Sequence, residues 1–400
     1  MENTVTLKEC YSMIPYSKQS ILESDISAVS EVLSSDWITQ GPKVPEFESA
    51  LKEVLGVKHA LGCSSGTAAL QLAYAAIGVG PKSVGIVPSV TFAATANAFR
   101  NLGATVYFCD VNQNDGIIDL QSLKETLEQV RESSEYDKGV ISPVSLAGKT
   151  APLEEVYKLA QKYEFHVVED ASHSPGAYYD DHSGSKTKSA NCKWTDAATL
   201  SFHPVKHICC GEGGAVLTNS KGIYSKAELL RSHGITRETN KNEDMPWYYE
   251  QIELGWNFRL TDIQASLGIE QLKRLNESIL RRHNIAKRYD EAFRSPKFVN
   301  HLHTPEITEG HALHLYVIRF KEKGARNKAY HFLKQHDILS QVHYIPLYRH
   351  PYHSGNYTPS DFPGAEAYFD GCLSIPIHPT LTEAEQETVI EVLSNFVQKN

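Results

Sequence analysis

The sequence predicts an α/β protein: a large domain over residues 1–270 built on a mostly parallel sheet, then a smaller α+β domain over residues 271–400. Three observations predict this. Short apolar runs alternate with helix-period segments through the first two thirds of the chain, the pattern of a parallel sheet covered by helices. One apolar run, Phe165–Val168, delivers an acid, Asp170, at its C-terminal end, where ligands bind in such sheets. Near residue 271 the composition shifts to a long charged stretch, KRLNESILRRHNIAKRYDEAF.

Taken in order, Asp25 is placed to cap a helix with Ile26, Val29 and Leu33 on one face. Gly66-Thr67 opens an Ala/Leu-rich helix ending near Gly78. Val84–Val87, Thr105–Phe108 and Val140–Ile141 read as strands. Pro152 starts a helix carrying Leu153, Val156, Leu159 and Tyr163 at helical spacing, and Phe165–Val168 returns as a strand. Residues 179–196 are polar and irregular, hence a loop. Beyond the charged helix, His314–Phe320 and Ile338–His343 read as strands with a helix between them. Thr382-Glu383-Ala384-Glu385 is a capping box opening a last helix, with Val389, Ile390, Leu393 and Phe396 apolar.

The chain is 41% hydrophobic and 22% charged, an ordinary globular composition. A formal charge of −9 with dispersed Lys and Arg argues against a nucleic-acid partner. There is no membrane-length apolar run and no charged-then-apolar leader pattern, so a cytoplasmic protein is expected. The seven cysteines are odd in number and form no pair of CxxC units, and adjacent Cys209 and Cys210 suit joint zinc ligation poorly. Reduced thiols and no metal site are expected.

The chemistry is carried by two motifs. Ser201-Phe202-His203-Pro204-Val205-Lys206, followed by Gly211–Gly214, lies 36 residues beyond Asp170 (206 − 170) in Val167-Val168-Glu169-Asp170-Ala171-Ser172-His173. Together they read as a site for pyridoxal phosphate (PLP). A lysine amine forms a Schiff base with the cofactor aldehyde, and an acid keeps the pyridine nitrogen protonated. Ser64–Leu70, a small-residue turn entering a helix, offers backbone N–H groups to a phosphate. Each piece also has a plain reading. Such turns are mostly ordinary helix starts, Asp170 alone reads as a cap, and Phe92 alone reads as core packing. His173 is one of 18 histidines. Phe92 is the candidate for stacking on the ring, and His173 for contact with the ring oxygen or Asp170.

SSGTAAL, PSVTFAATANAF, VVEDASHSPGA, LSFHPVKHICCGEGGAV and GWNFRLTDIQASLG occur in one order along the chain. As a set they resemble the DegT/DnrJ/StrS-type nucleotide-sugar aminotransferases, fold-type-I PLP enzymes, from about Pro15 to the C-terminus. The resemblance implies that Lys206 is the Schiff-base lysine and that Asp170 pairs the pyridine nitrogen. It implies that His173 lies by the ring hydroxyl and Phe92 stacks on the ring. Gly66, Thr67 and Ser201 contact the phosphate, and Asn257 reaches the phosphate of the neighbouring subunit in a homodimer. It sets His203, Arg259 and His343 on the substrate side. Asp36–Pro42, Ser145–Lys149, Arg231–Gly234 and VHYIPLYRHPYH narrow the resemblance to members of the pseudaminic acid pathway. These aminate C4 of a UDP-linked 4-keto-6-deoxy-N-acetylhexosamine with glutamate as donor. Two departures are the long polar loop before Trp194 and the Cys209-Cys210 pair. Alternatives are a transaminase for another dTDP-, GDP- or UDP-linked 4-keto sugar, a sugar dehydratase, and a non-catalytic regulator of the same fold. Retention of Lys206 and Asp170 argues against the last two.

Overall fold

The computed structural model describes residues 13–133, 135–237, 244–353, 355 and 357–399. Residues 1–12, the first part of the stretch without a leader pattern, and with them Cys10, lie outside the described residues. The strands in chain order are β1 (His59–Cys63), β2 (Ser83–Pro88), β3 (Thr105–Cys109), β4 (Lys138–Ile141), β5 (Phe165–Asp170), β6 (Tyr178–Asp180) and β7 (Lys186–Lys188). They continue with β8 (Ala197–Ser201), β9 (Gly214–Thr218), β10 (Ile235–Thr236), β11 (Glu250–Gln251), β12 (Leu302–His303), β13 (Tyr316–Phe320) and β14 (Cys372–Ile375).

Seven strands form the main sheet in the order β1-β9-β8-β5-β4-β2-β3. β8, β5, β4, β2 and β3 are mutually parallel, whereas β9 runs antiparallel to both β8 and β1. β2 is buried at every residue and β4 at every residue but its first, as expected for strands with helices on both faces. The helix Gly66–Ile77 lies against this sheet with Ala68–Tyr74 and Ile77 all buried. Its Ser65 cap accepts from Ala68 N, and Gly78, at φ 100°, ends it. β12, β13 and β14 form a separate antiparallel sheet. It packs with the helices Leu275–Phe293, Ala325–Gln335 and Glu383–Lys399 around a second apolar cluster that includes Tyr289, Phe293, Tyr316 and Phe396. Ile14 joins that cluster from the other end of the chain, its backbone bridged to Ile338.

The capping box forms as expected: Thr382 N donates to Glu385 Oε2 at 2.8 Å and Glu385 N to Thr382 Oγ1 at 3.1 Å. Other elements differ from expectation. The first helix, Glu23–Leu33, starts three residues early, and Asp25 sits inside it, accepting from Leu22 N and pairing with Arg274. Ile26 and Leu33 are exposed, not on a buried face. The polar segment 179–196 carries the hairpin β6–β7, organised by Asp181, which accepts from Ser183, Thr187 and Lys193. Residues 338–343 form no strand, only isolated bridges at Ile338 and Gln341. The charged stretch is broken at Arg274, between the helices Asp262–Lys273 and Leu275–Phe293. The six described cysteines are free and buried. No helix among the described residues is long and apolar enough to cross a membrane.

Candidate active site

A cavity of about 680 Å3 opens beyond the C-terminal ends of β5 and β8, within the size range of small-molecule sites. Gly66, Thr67, Phe92, Asp170, His173, Ser201, His203, Lys206 and His343 all line it. Residues scattered over 278 positions of sequence (343 − 66 + 1) are thus brought together by strand ends and loops.

Asp170 is the last residue of β5 and is 5% exposed. Its carboxylate is anchored on both oxygens. Thr95 Oγ1 donates to Oδ2 at 2.8 Å, and Ser172 Oγ to Oδ1 at 2.6 Å. Thr91 and Thr95 share a further hydroxyl contact of 2.9 Å, one turn apart at the start of the helix Ala93–Asn101. The carboxylate is therefore fixed in position by a hydroxyl donor on each oxygen. Glu169, beside it, faces the opposite side of the strand and is wholly buried. It accepts from Ser145, Ser189 and Ala190 N, which ties β5 to the loops around it.

Lys206 sits in a turn closed by its own N–H donating to His203 O at 2.8 Å. Burial pushes its ammonium down to about 8, against a weaker opposing pull from Asp170. A lysine in this state holds a usable fraction of nucleophilic free amine near neutral pH.

The N-terminus of the helix Gly66–Ile77 closes one end of the cavity, with Ser201 against it. A Cβ on Gly66 would meet Ser201 Cβ at 2.8 Å, and one on Gly214 would meet Ser65 O at 2.3 Å. The glycines let β8 and β9 approach this turn closely enough to make a cradle of N–H and hydroxyl donors. Phe92 caps the helix Ala93–Asn101 and is 60% exposed, so it is not core; its ring lies on the cavity wall, 5.9 Å from that of Tyr344. A half-buried lysine amine, an anchored carboxylate, an anion cradle and an open aromatic face fit an aldehyde cofactor with a ring nitrogen and a phosphate arm.

The His173 ring is buried, and burial, then the charge of Lys206, holds its pKa well below the ordinary histidine value. Its Nδ1 accepts from Ala147 N at 3.3 Å, and its Nε2 meets Tyr344 Oη at 3.3 Å. His314 lies over it at 4.2 Å between ring centroids. His343 bonds Ser374 Oγ at 2.8 Å and is pushed down to about 3 by burial and by Lys206.

Two expected site residues do not line this cavity. Asn257 is exposed with its backbone bridged to Ser232, and Arg259 is bridged to Cys63. Sequence reasoning missed Thr95, Ser172, His314 and Tyr344. Ser172 and Tyr344 adjoin residues it did name, and Thr91 and Thr95 are spaced as one helical turn, a signal that was available.

The DegT/DnrJ/EryC1/StrS aminotransferase family matches residues 19–394. A UDP-4-amino-4,6-dideoxy-N-acetyl-beta-L-altrosamine transaminase of Campylobacter jejuni is 38% identical over 389 residues, which is 97% of this chain and 98% of that protein. Among solved structures, Helicobacter pylori PseC, an aminotransferase involved in the biosynthesis of pseudoaminic acid, is similar with a TM-score of 0.85. It is 30% identical, over 97% of this chain and all of that one (100%). The PLP-form of Spr1654 from Streptococcus pneumoniae is similar with a TM-score of 0.85 and 28% identity, over 97% of this chain and 99% of that one.

Proposed function

Because the chain belongs to the DegT/DnrJ/EryC1/StrS aminotransferase family, we propose that it is a PLP-dependent sugar transaminase. It moves an amino group from L-glutamate to C4 of a UDP-linked 4-keto-6-deoxy-N-acetylhexosamine, as in pseudaminic-acid-type pathways. The products are 2-oxoglutarate and UDP-4-amino-4,6-dideoxy-N-acetyl-beta-L-altrosamine, the sugar in the name of the Campylobacter relative. The observation that carries this reading is the pairing, in one cavity, of a half-buried Lys206, whose charge desolvation disfavours, with a doubly anchored Asp170.

PLP supplies an aldehyde to link with amines and a ring that withdraws electrons from the reacting carbon. The chain supplies the rest. Asp170 would pair with the ring nitrogen and keep it protonated. Lys206 binds the cofactor, then carries a proton between the donor or sugar carbon and the cofactor carbon. Gly66, Thr67 and Ser201 would hold the phosphate, and Phe92 would cover a ring face. His203 and His343, which line the cavity, serve the substrate side.

The active unit is a homodimer acting in the cytoplasm. The cavity of one chain lacks Asn257, and the partner subunit's Asn257 completes the phosphate site. Exposed apolar side chains at Trp37, Ile38, Ile252 and Leu254 suit a covered face better than a solvated one. The test of the reading is spectroscopic: purified protein with PLP absorbs in the visible, and L-glutamate bleaches that band. No band, or a band indifferent to glutamate, contradicts it.

A further inference from the structure

We propose that the ion pair between Glu48 and Arg231 positions Asn257 for the partner subunit's cofactor, so that Arg231 acts across the dimer and not in its own cavity. The inference rests on the shared-site reading above and deepens it by naming the residues that aim the shared group.

The segment carrying Asn257 belongs to no ladder. Residues 256–259 make isolated bridges, Asn257 with Ser232 and Arg259 with Cys63. On one side Trp256 N donates to Leu230 O at 2.7 Å, Phe258 N to Arg231 O at 3.0 Å, and His233 N to Trp256 O at 2.8 Å. These partners are the end of the helix Lys221–Arg231 and the turn beyond it. On the other side Ser64 N, just past β1, donates to Phe258 O at 2.9 Å. The segment therefore lies in a slot between a helix end and a strand end. Trp256 and Phe258, two residues apart, stack on each other and pack against the main core. In extended backbone that alternation turns the residue between them the other way, and Asn257 is exposed.

Arg231 joins the two walls of the slot. Its Nη1 donates to Gly62 O at 2.8 Å and to Glu48 Oε1 at 2.9 Å. Glu48 Oε1 also accepts from Gly62 N at 2.8 Å. One guanidinium thus ties the helix Lys221–Arg231 to β1 and to the helix Lys43–Leu55. Arg231 neighbours Ser232 and Gly62 neighbours Cys63, so the bond spans the two residues that bridge the segment. The two side chains are 15% and 13% exposed, so the charges act on each other with little water between them.

What shifts when the pair is broken follows from what else holds each wall. β1 pairs with β9 over all five of its residues, from His59 with Thr218 to Cys63 with Gly214. The Ser65–Gly66 turn beyond it is capped by Ser65 and lies against Ser201. The wall that serves the chain's own cavity therefore keeps its place without Arg231. Residues 256–259 hang on isolated bridges, and loss of the guanidinium lets those bridges part. Asn257 then moves, and the site that feels it is the partner's.

The experiment uses heterodimers of full-length chains, isolated through a different tag on each. One chain carries Lys206→Ala, so the visible band formed with PLP reports only the site of the other chain. Arg231→Met is placed on either chain in turn, and PLP is titrated. On the Lys206→Ala chain it is expected to raise the PLP concentration at half-maximal band by about tenfold, the scale of one hydrogen bond to a charged group. On the chain that keeps Lys206 it is expected to leave that concentration unchanged. A loss only in the second placement, an equal loss in both, or no loss in either overturns the proposal. Asn257→Ala on the Lys206→Ala chain separates the two readings. A loss from Asn257→Ala with none from Arg231→Met overturns this inference alone. No loss from Asn257→Ala overturns the shared site and this inference with it. Should Arg231→Met fail to assemble, Glu48→Gln replaces it, keeping the shape while removing the charge, with the same asymmetry expected at about threefold.

Discussion

Lys206 shows how burial makes a common residue into a reagent. A drop from 10.5 to about 8 raises its free-amine fraction at neutral pH by about 300-fold. The rate of PLP capture by the unloaded chain is therefore expected to climb with pH through about 8 and level off above it. Stopped-flow absorbance measures this, and a midpoint near 10.5 would contradict the burial argument. Lys206→Ala removes both the attachment point and the proton carrier, so neither the visible band nor turnover should survive. Asp170→Asn has a separate signature: PLP still binds, while kcat falls by several orders of magnitude because a neutral amide cannot hold the ring nitrogen protonated. Lys206 and Asp170 were legible in the sequence because each sits in a distinctive local string. Tyr344 was not, since its contact with His173, 171 residues away, is made only by folding.

At the scale of elements, the turn Leu146–Gly148 matters most, because it carries the backbone N–H that fixes His173. Gly148 has φ 100°, and a Cβ there would meet Leu313 N at 2.6 Å and His314 N at 2.8 Å. The small-sheet side docks onto it, with Ala312 N donating to Gly148 O at 2.9 Å and Leu315 N to Ala147 O at 3.1 Å. Buried Arg282 braces the same segment by donating to the carbonyls of Leu313, His314 and Ile377. Gly148→Ala should therefore destabilise the chain by about 1–3 kcal/mol, the scale of an overpacked or strained backbone site. It should also weaken PLP retention. Thermal melting and dialysis of the holoprotein check both, and wild-type values for both would show that the docking is dispensable. Strands rich in Val and Ile, such as β2 and β5, were readable as sequence. β1 and β8, HALGC and AATLS, were not, because small residues have weak strand preference and owe their conformation to burial in the sheet. Residues 338–343 looked strand-like, but Ile338 packs in the second cluster and Gln341 to Tyr344 line the cavity instead of extending a ladder.

For the whole molecule we propose the division at residues 270/271, with the N-terminal segment around Ile14 crossing to pack in the second cluster. The alternation of elements predicted the parallel sheet, but no local pattern announces a crossing of this kind. A shared active site has a direct consequence under subunit exchange. Mixing inactive Lys206→Ala chains with Asn257→Ala chains should restore activity, because one site of each heterodimer is then intact. Proven heterodimers with no recovered activity would remove Asn257 from the partner's site. The central claim, amine transfer to C4 of a nucleotide-linked keto sugar, is tested most directly by mass spectrometry. The purified holoprotein is incubated with 15N-labelled L-glutamate and a panel of UDP-, dTDP- and GDP-linked 4-keto-6-deoxy sugars and their 3-keto isomers. The account predicts 15N in the UDP-linked N-acetylated product, one nitrogen per sugar, with matching 2-oxoglutarate. Label moving only between amino acids and keto acids, or preferentially to a 3-keto sugar, would contradict it.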